Sequence, residues 1–320
     1  MRPRMSDSPR VTLGVTTYNV ERYLARAFDA VLAQDFTDFE VVVCDNQSTD
    51  GTWDICRQYA ERDSRFRIHR NETNLGQTGN FERVVSLARG EYFRLTAHDD
   101  LMAPALLSRC VEALDADPDA VLAYPGGVLI DEHGDELFRA PDEGPLTHPR
   151  ATRRIVGLVG RWQYINELFG VIRTDVLRRT RLSGPYVSAD RRMVVELLAR
   201  GSFVYVPQTL FYRRVHEENS FGAKRGDVYQ WLEPDVARSH RGTTKAPRIG
   251  SDYFRLTVDT VVSLLRGDLP LPQRLATAAT FGGYFTLRRL RTWAGRQRRR
   301  IRGLPLVDAP PVSRPPRTSA

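Results

Sequence analysis

Short apolar runs alternate with segments of helical periodicity through the first part of the chain. A run of about four to eight apolar residues that ends in a polar cluster predicts a buried strand, and apolar residues that recur every three or four positions predict a helix. The strands predicted in this way are 11–17, 39–44, 65–69, 91–95 and 120–124. The helices predicted between them are 20–33, 49–59, 80–88 and 104–114.

This alternation has the spacing of β-α-β units, so residues 11–125 are predicted to form a parallel, doubly wound α/β sheet. In such sheets, ligands bind beyond the carboxyl ends of the strands. Polar clusters follow three of the predicted strands, at 16–19, 45–46 and 98–100. We therefore expect the three clusters to share one edge of the sheet and to form a site there.

The alternation weakens after residue 125, where a mixed α+β half is predicted. A hairpin is expected around 128–134, helices at 150–161 and 190–199, and strands at 203–206 and 209–215. Two amphipathic helices are predicted at 253–265 and 271–301.

Composition supports an ordinary folded protein, because 41% of the 320 residues are hydrophobic and 27% are charged. No apolar run is long enough to span a membrane, and the first residues lack the apolar core of a signal peptide, so a cytoplasmic protein is expected. The three cysteines, Cys44, Cys56 and Cys110, lie within apolar patterns and are expected to be buried, reduced thiols.

The net charge of +8 arises at the C-terminal end. Residues 288–320 hold ten Arg and one Asp, a net of +9, so the rest of the chain carries −1. A basic helix with apolar residues between its arginines suits an anionic membrane surface, on the inner face of the plasma membrane. A solvated helix with a charged end is an equal alternative, whereas nucleic-acid binding is disfavoured because no folded reading module accompanies the arginines.

Carboxylates mark two of the polar clusters. Asp99 and Asp100 are adjacent, and two such charges at close range repel by about 4 kcal/mol at an effective dielectric of about 20. A divalent cation held by oxygen ligands relieves that repulsion, although a solvated turn or a helix cap is the simpler alternative. Asp45 and Asn46 follow an all-apolar strand, where they would either cap the next helix or bind a base or ribose.

Four motifs occur in a fixed order: T-x-Y-N at 16–19, F-E-V-V-V-x-D-N-x-S-T-D-G-T at 39–52, N-x-G at 74–76 and G-E-Y-x-x-x-x-x-H-D-D at 90–100. Together they resemble the family 2 glycosyltransferases with a GT-A fold, over about residues 10–220. The resemblance implies transfer of a sugar, with inversion, from a nucleoside-diphosphate sugar to a hydroxyl acceptor such as a polysaccharide, a glycolipid or a natural product. It also implies Mg²⁺ or Mn²⁺ as the cofactor.

The resemblance assigns roles by position. Asp190 would be the catalytic base, and Asp100 and His216 would hold the metal. The nucleotide-sugar-binding residues would be Thr16, Tyr18, Asp45, Asn46 and Asp99.

The same resemblance divides the chain into a donor-binding half at 11–125 and an acceptor half of the same domain at 126–220. A helical C-terminal extension is then expected at 221–302, with disordered ends at 1–10 and 303–320.

Several positions depart from the family pattern. Thr16 stands where many members have Pro, Asn46 where many have a second Asp, Ala97 where the first carboxylate of D-x-D-D is common, and Ala189 where many have Glu. A nucleotide-sugar-binding or membrane-adaptor protein with impaired catalysis therefore remains an alternative. A dinucleotide-binding oxidoreductase is disfavoured because no G-x-G-x-x-G follows the first strand, and a sugar nucleotidyltransferase because no Lys precedes Lys224.

Overall fold

The computed structural model describes residues 8–139, 144, 146–160, 166–184, 186, 188–216 and 249–301. The first seven residues, the predicted tail at 303–320 and the segment 217–248 of the predicted extension lie outside the described residues.

The first part of the chain has strands close to those predicted. All seven residues of the second strand are buried, because helices cover both faces of the sheet. The four strands are β1 (Val11–Thr17), β2 (Phe39–Asp45), β3 (Phe66–Arg70) and β4 (Tyr92–Leu95). The helices between them are α1 (Glu21–Leu32), α2 (Thr52–Arg62) and α3 (Gly76–Leu87).

After β4, the described residues form five more strands, six helices and a short 3-10 turn at Asn166–Phe169. The strands are β5 (Leu101–Met102), β6 (Ala120–Ile130), β7 (Glu136–Arg139), β8 (Val171–Arg173) and β9 (Ser202–Arg214). The helices are α4 (Leu106–Ala116), α5 (Ala151–Gly160), α6 (Thr174–Leu177), α7 (Asp190–Arg200), α8 (Ile249–Arg266) and α9 (Leu271–Ile301).

One nine-stranded sheet runs through both halves, in the order β3-β2-β1-β4-β8-β6-β9-β5, with β7 paired to β6. The first four strands are parallel, as predicted. The fifth predicted strand, β6, does not lie beside β4, because the three-residue strand β8 is inserted between them and runs antiparallel to both. The sheet is therefore mixed, and it continues from the first half of the chain into the second.

Strand β9 replaces the two strands predicted at 203–206 and 209–215. Val206 pairs with Pro125 and Thr209 with Gly126, so Pro207 and the residue after it bulge out of the ladder. Proline donates no hydrogen bond, which favours such a bulge. The strand then continues to Arg214, and this carries its end to the polar edge of the sheet.

An ion-pair cluster stabilises the opposite end of the donor half. Glu40 is buried and accepts hydrogen bonds from Thr12 (2.8 Å), from the Arg89 backbone (2.8 Å) and from Arg67 (2.7 Å). Burial works to raise the pKa of Glu40, but these hydrogen bonds outweigh it and lower that pKa below its ordinary value. The cluster ties β1, β2 and β3 to the end of α3.

The cysteine prediction is confirmed. Cys44, Cys56 and Cys110 are buried free thiols, and burial raises the pKa of each to about 12. None of the three is a reactive thiolate at neutral pH.

The C-terminal helices pack on the acceptor half. Ser263 of α8 donates to Glu196 of α7 (2.5 Å), and Tyr284 of α9 donates to the Val159 carbonyl of α5 (3.3 Å). Among the helices that the structure describes, none is both long and apolar enough to cross a bilayer.

Candidate functional site

Two loops at the carboxyl ends of β1 and β2 hold each other in place. Helix α1 starts without a cap of its own, and its first backbone N–H groups are satisfied by side chains of the β2–α2 loop. Ser48 accepts from the Asn19 N–H (3.0 Å), Thr52 from the Val20 N–H (2.8 Å) and Asp50 from the Glu21 N–H (3.2 Å).

Side chains of the loop after β1 also accept hydrogen bonds from backbone groups of the loop after β2. The Asn19 side chain accepts from the Thr49 N–H (2.8 Å), and the Glu21 carboxylate accepts from the Gly51 N–H (2.5 Å). Asn19 has a φ of 53°, a left-handed conformation that Asn tolerates better than most residues. The T-x-Y-N and S-T-D-G-T motifs are thus complementary parts of one structure.

Asp45 lies inside this structure. Its carboxylate is fully buried and accepts from the Ser48 N–H (3.1 Å) and hydroxyl (2.5 Å) and from Thr17 (3.3 Å), and it pairs with Arg70 (3.2 Å). These contacts shape the loop. Of the residues that the resemblance assigns to the nucleotide, Tyr18 is 44% exposed and Thr16 is half-buried, so these two are the accessible ones.

Asn46 organises the neighbouring β3–α3 loop. Its amide donates to Asn74 (2.7 Å) and to the Gly76 carbonyl (3.1 Å), and it accepts from Asn71 (3.0 Å) and from the Leu75 N–H (2.8 Å). The side chain is 3% exposed. An Asp at this position could not make the two donated bonds, which gives the departure from the family pattern a structural reason.

The N-x-G motif has its place in the same loop. Gly76 has a φ of 70°, which favours glycine, and its N–H is bound by the Asn74 side chain (2.8 Å). Asn46 and its asparagine partners therefore set the position of this loop beside the end of β2.

Asp99 and Asp100 follow β4 and are both 7% exposed, but their environments differ. Asp99 contacts His216 (Oδ2 to Nε2, 3.0 Å), whereas Asp100 accepts from the Arg214 N–H (2.8 Å). Burial works to raise the pKa of Asp99, but the charge of His98 and the hydrogen bond of His216 hold it at about 2. Burial and the charge of Asp99 raise the pKa of Asp100 to about 7.

Arg214, the last residue of β9, holds the segment with Asp99 and Asp100, which we call the acidic loop. The sequence analysis did not identify this arginine. Its side chain is 1% exposed and donates to the carbonyls of Asp99 (2.9 Å), Asp131 (2.8 Å) and Glu132 (3.0 Å). The guanidinium also lies 4.9 Å from the centre of the Tyr23 ring. An arginine in the alternating pattern of a strand end was the available signal, but its partners lie more than 80 residues away in the sequence.

Arg213 is the residue on which three candidate carboxylates converge. It is half-buried, it lies over the Phe169 ring (5.1 Å), and burial lowers the pKa of its guanidinium. The charges of Asp100, Asp190 and Asp99 act on it in the opposite direction. The three carboxylates therefore lie within electrostatic range of one cation, whereas Asp45 is enclosed in its own loop at the end of β2.

Asp190 is the first residue of α7 and is half-buried. Its Oδ1 accepts from the Arg191 N–H (2.9 Å). Ser188, two residues earlier, has a φ of 66°, so the chain approaches the helix through a left-handed turn.

The two ring nitrogens of His216 have different hydrogen-bonding roles. Asp99, with its low pKa, is a carboxylate that only accepts, so His216 Nε2 is the donor and a neutral ring leaves Nδ1 as an acceptor. Nδ1 is buried and has no hydrogen-bond partner within the described part of the chain. A carboxylate on one ring nitrogen and a lone pair on the other is the usual environment of a metal-binding histidine.

These groups fit a divalent cation in part. Asp100 and His216 offer one carboxylate and one imidazole, and Mg²⁺ or Mn²⁺ commonly completes such a pair with substrate phosphates. Within the described ranges, no group of three His, Cys, Asp or Glu side chains could hold a metal without that help.

Solved structures with this fold are known. S. aureus TarS residues 1–349 in complex with UDP-GlcNAc aligns with a TM-score of 0.60 at 17% identity, over 85% of this chain and 71% of that chain. A mannosyltransferase from Pyrobaculum calidifontis in complex with GDP-Man and Mn²⁺ aligns with a TM-score of 0.51 at 21% identity, over 86% and 76%. The architecture is thus the GT-A fold, as predicted.

Sequence comparison gives the family. Residues 12–158 match the model of Glycosyl transferase family 2. The putative glycosyltransferase EpsE of Bacillus subtilis is 33% identical over 131 residues, which are 41% of this chain and 47% of that protein. An uncharacterized glycosyltransferase of Nostoc sp. is 27% identical over 214 residues, 66% of each protein. The resemblance to the family 2 glycosyltransferases is confirmed over residues 12–158, and the chain spans about half the length of EpsE.

Proposed function

We propose that the protein transfers a glycosyl group from a nucleoside-diphosphate sugar to a hydroxyl acceptor, with inversion, using Asp190 as the general base and a divalent metal at Asp100 and His216. The observation that carries the proposal is that the end of β9 meets the two carboxylates after β4: His216 contacts Asp99 (3.0 Å) and the Arg214 N–H donates to Asp100 (2.8 Å). The charge of Asp190, at the start of α7, acts on the neighbouring Arg213 together with theirs.

The chemistry follows from the charges. A sugar hydroxyl becomes a good nucleophile when its proton is removed in the transition state, and Asp190 is the accessible carboxylate on the acceptor side. The leaving diphosphate gains negative charge, which Arg213 is placed to neutralise. The metal, when bound, supplies further positive charge to the diphosphate oxygens.

Donor binding falls to the loops described above. The edge formed by β1 and β2 presents Thr16 and Tyr18, while Asp45 and Asn46 hold the loops in position through buried hydrogen bonds. Asp99 supports the site by orienting His216. UDP-GlcNAc and GDP-Man, which the two aligned structures contain, are the first donors to test.

The test is a panel of nucleotide sugars with Mg²⁺ or Mn²⁺, read by thermal shift and by slow hydrolysis of the donor. We expect Asp100→Asn to lose metal-dependent donor binding, and Asp190→Asn to keep binding but lose transfer by about 10²-fold or more. Asp175→Asn, an exposed acid in the first turn of α6, is the matched control. Full turnover in the Asp190 variant would remove that residue from its role.

A donor-binding protein without catalysis is the second candidate, because Ala97 and Ala189 stand where carboxylates are common in the family. The same panel separates the two: a thermal shift with no hydrolysis and no transfer under any metal would favour the binding protein.

A further inference from the structure

Part of the surface of the α8–α9 helical hairpin is apolar and exposed. The proposed reaction does not use this surface. Eleven large apolar side chains are exposed in the described part of the chain, with exposed fractions of 36–59%, and six of them belong to these two helices. We call this set the apolar ridge: Phe254, Val258, Leu265, Leu271, Leu275 and Leu287.

The ridge follows helical geometry. At about 100° per residue, Phe254, Val258 and Leu265 fall within about 40° of one another on α8. Val261, on the adjoining side of α8, packs against α9 at Gly282, where an added Cβ would lie 3.3 Å from it. The two helices are therefore packed together, and the ridge lies on their solvent side.

The solvent face of α9 carries no charge before residue 288. A surface helix normally places charged residues on that face, so the pattern needs an explanation. The exposed positions over 271–287 are Leu271, Pro272, Leu275, Ala276, Ala279, Gly283, Thr286 and Leu287.

The same helix continues without a break into a cationic segment. Its backbone is helical to Ile301, and residues 288–301 contain seven Arg and no acidic residue. Trp293 lies between these arginines in the sequence, as is common in helices at a bilayer interface. An uncharged apolar face joined to dense positive charge requires a partner that is apolar and anionic side by side.

We propose that the α8–α9 hairpin docks on the surface of an anionic lipid membrane, with the ridge in the headgroup–acyl boundary and the arginines of 288–301 on acidic headgroups. A second copy of the chain is a poorer occupant, because a two-fold contact through this hairpin would bring two strongly cationic segments together. The proposal is independent of the glycosyl-transfer reaction, so either can fail alone.

The experiment uses the full chain and flotation with vesicles of phosphatidylcholine alone or with one quarter phosphatidylglycerol. We expect binding to the anionic vesicles only, weakening as salt rises. Leu275→Glu with Leu287→Glu should lower the partition coefficient by about 100-fold, on the order of tenfold for each leucine. Leu137→Glu, at an exposed apolar position on β7, should change it less than about twofold.

Two results would overturn the proposal. One is equal binding to neutral and anionic vesicles, or unchanged binding by the double leucine variant with native circular dichroism. The other is a dimer, seen by light scattering, that the leucine variant dissociates while vesicle binding stays the same. That second result would assign the ridge to contact between copies.

Discussion

Helix α7, which begins at the proposed base Asp190, is anchored by a carboxylate of the C-terminal hairpin. Asp259 of α8 accepts from Arg181 (2.8 Å) and Tyr186 (2.7 Å) and forms an ion pair with Arg192. Arg192 lies two residues after Asp190 and is 3% exposed. The C-terminal hairpin thus holds the loop and the helix start that place Asp190.

We predict that Asp259→Asn lowers the free energy of unfolding by about 2–3 kcal/mol. Removing one partner of a buried pair costs about 3–5 kcal/mol, but the Asp259 side chain is 22% exposed, and water offsets part of that loss. Arg192 keeps Glu196 at 3.3 Å and the carbonyls of residues 181–183 at 3.0–3.2 Å, so the chain should still fold.

The effect on the reaction should be selective. Because the donor loops on β1, β2 and β4 do not contact Asp259, donor affinity should stay within about twofold, whereas kcat should fall about tenfold or more as Asp190 loses its fixed position. Urea unfolding gives the stability change, and initial rates at a temperature where both proteins are folded give kcat and KM.

Asp268→Asn is the matched control. Asp268 also pairs with two arginines, Arg179 (3.1 Å) and Arg200 (2.7 Å), but its side chain is 44% exposed and away from Asp190, so less than about 1 kcal/mol should be lost. If Asp259→Asn loses stability but keeps the wild-type kcat, the carboxylate stabilises the fold without positioning the base. If it loses neither, the account of this network is wrong.

Three further predictions concern Glu40, Asn46 and Arg214. Glu40→Gln should lower the free energy of unfolding by about 2 kcal/mol at neutral pH. Because the pKa of Glu40 is lowered in the folded state, its stabilisation is present above the unfolded pKa and is lost as the pH falls. In urea titrations below about pH 5, the wild type should therefore lose more stability than the variant. Asn46→Ala should weaken donor binding about tenfold and cost about 2–4 kcal/mol, because it leaves buried amide groups of the Asn71 and Leu75 contacts unpaired; calorimetry measures both. Arg214→Lys should reduce metal-dependent donor binding, read by thermal shift with and without Mn²⁺, since the single nitrogen of Lys cannot replace the two guanidinium nitrogens that reach carbonyls in two loops.

Each of these has a contradicting outcome. Parallel acid limbs for the wild type and Glu40→Gln would show that Glu40 is not the titrating group. Unchanged donor affinity in the Asn46 variant would separate the asparagine network from the donor site, and full metal dependence in the Arg214 variant would show that the acidic loop holds its shape alone.

The sequence predicted β1 to β4 and α1 to α4, most directly at β1 and β2, which are largely apolar runs, and at the helices with one apolar face; the two-residue strand β5 was not predicted. It could not predict β8, since three residues carry no periodicity, and it divided β9 at a proline that the sheet accommodates as a bulge. The insertion of β8 between β4 and β6 is a matter of long-range pairing, which local patterns do not encode.

For the site, motif positions led to the right loops but not to the contacts within them. Asp45 and Asn46 lie at the predicted edge, yet their side chains bind neighbouring loop residues, and neither caps the helix that follows. Arg214 and Asp259 were missed because their importance comes from partners far away in the sequence.

The reciprocal hydrogen bonding between the loop after β1 and the loop after β2 limits how specificity can be engineered or can drift. A chimera that imports residues 45–52 from a relative while keeping the native 17–21 would lose both sets of helix-start contacts at once. Donor preference in this protein should therefore be exchangeable only when both segments are transplanted together, as a single module.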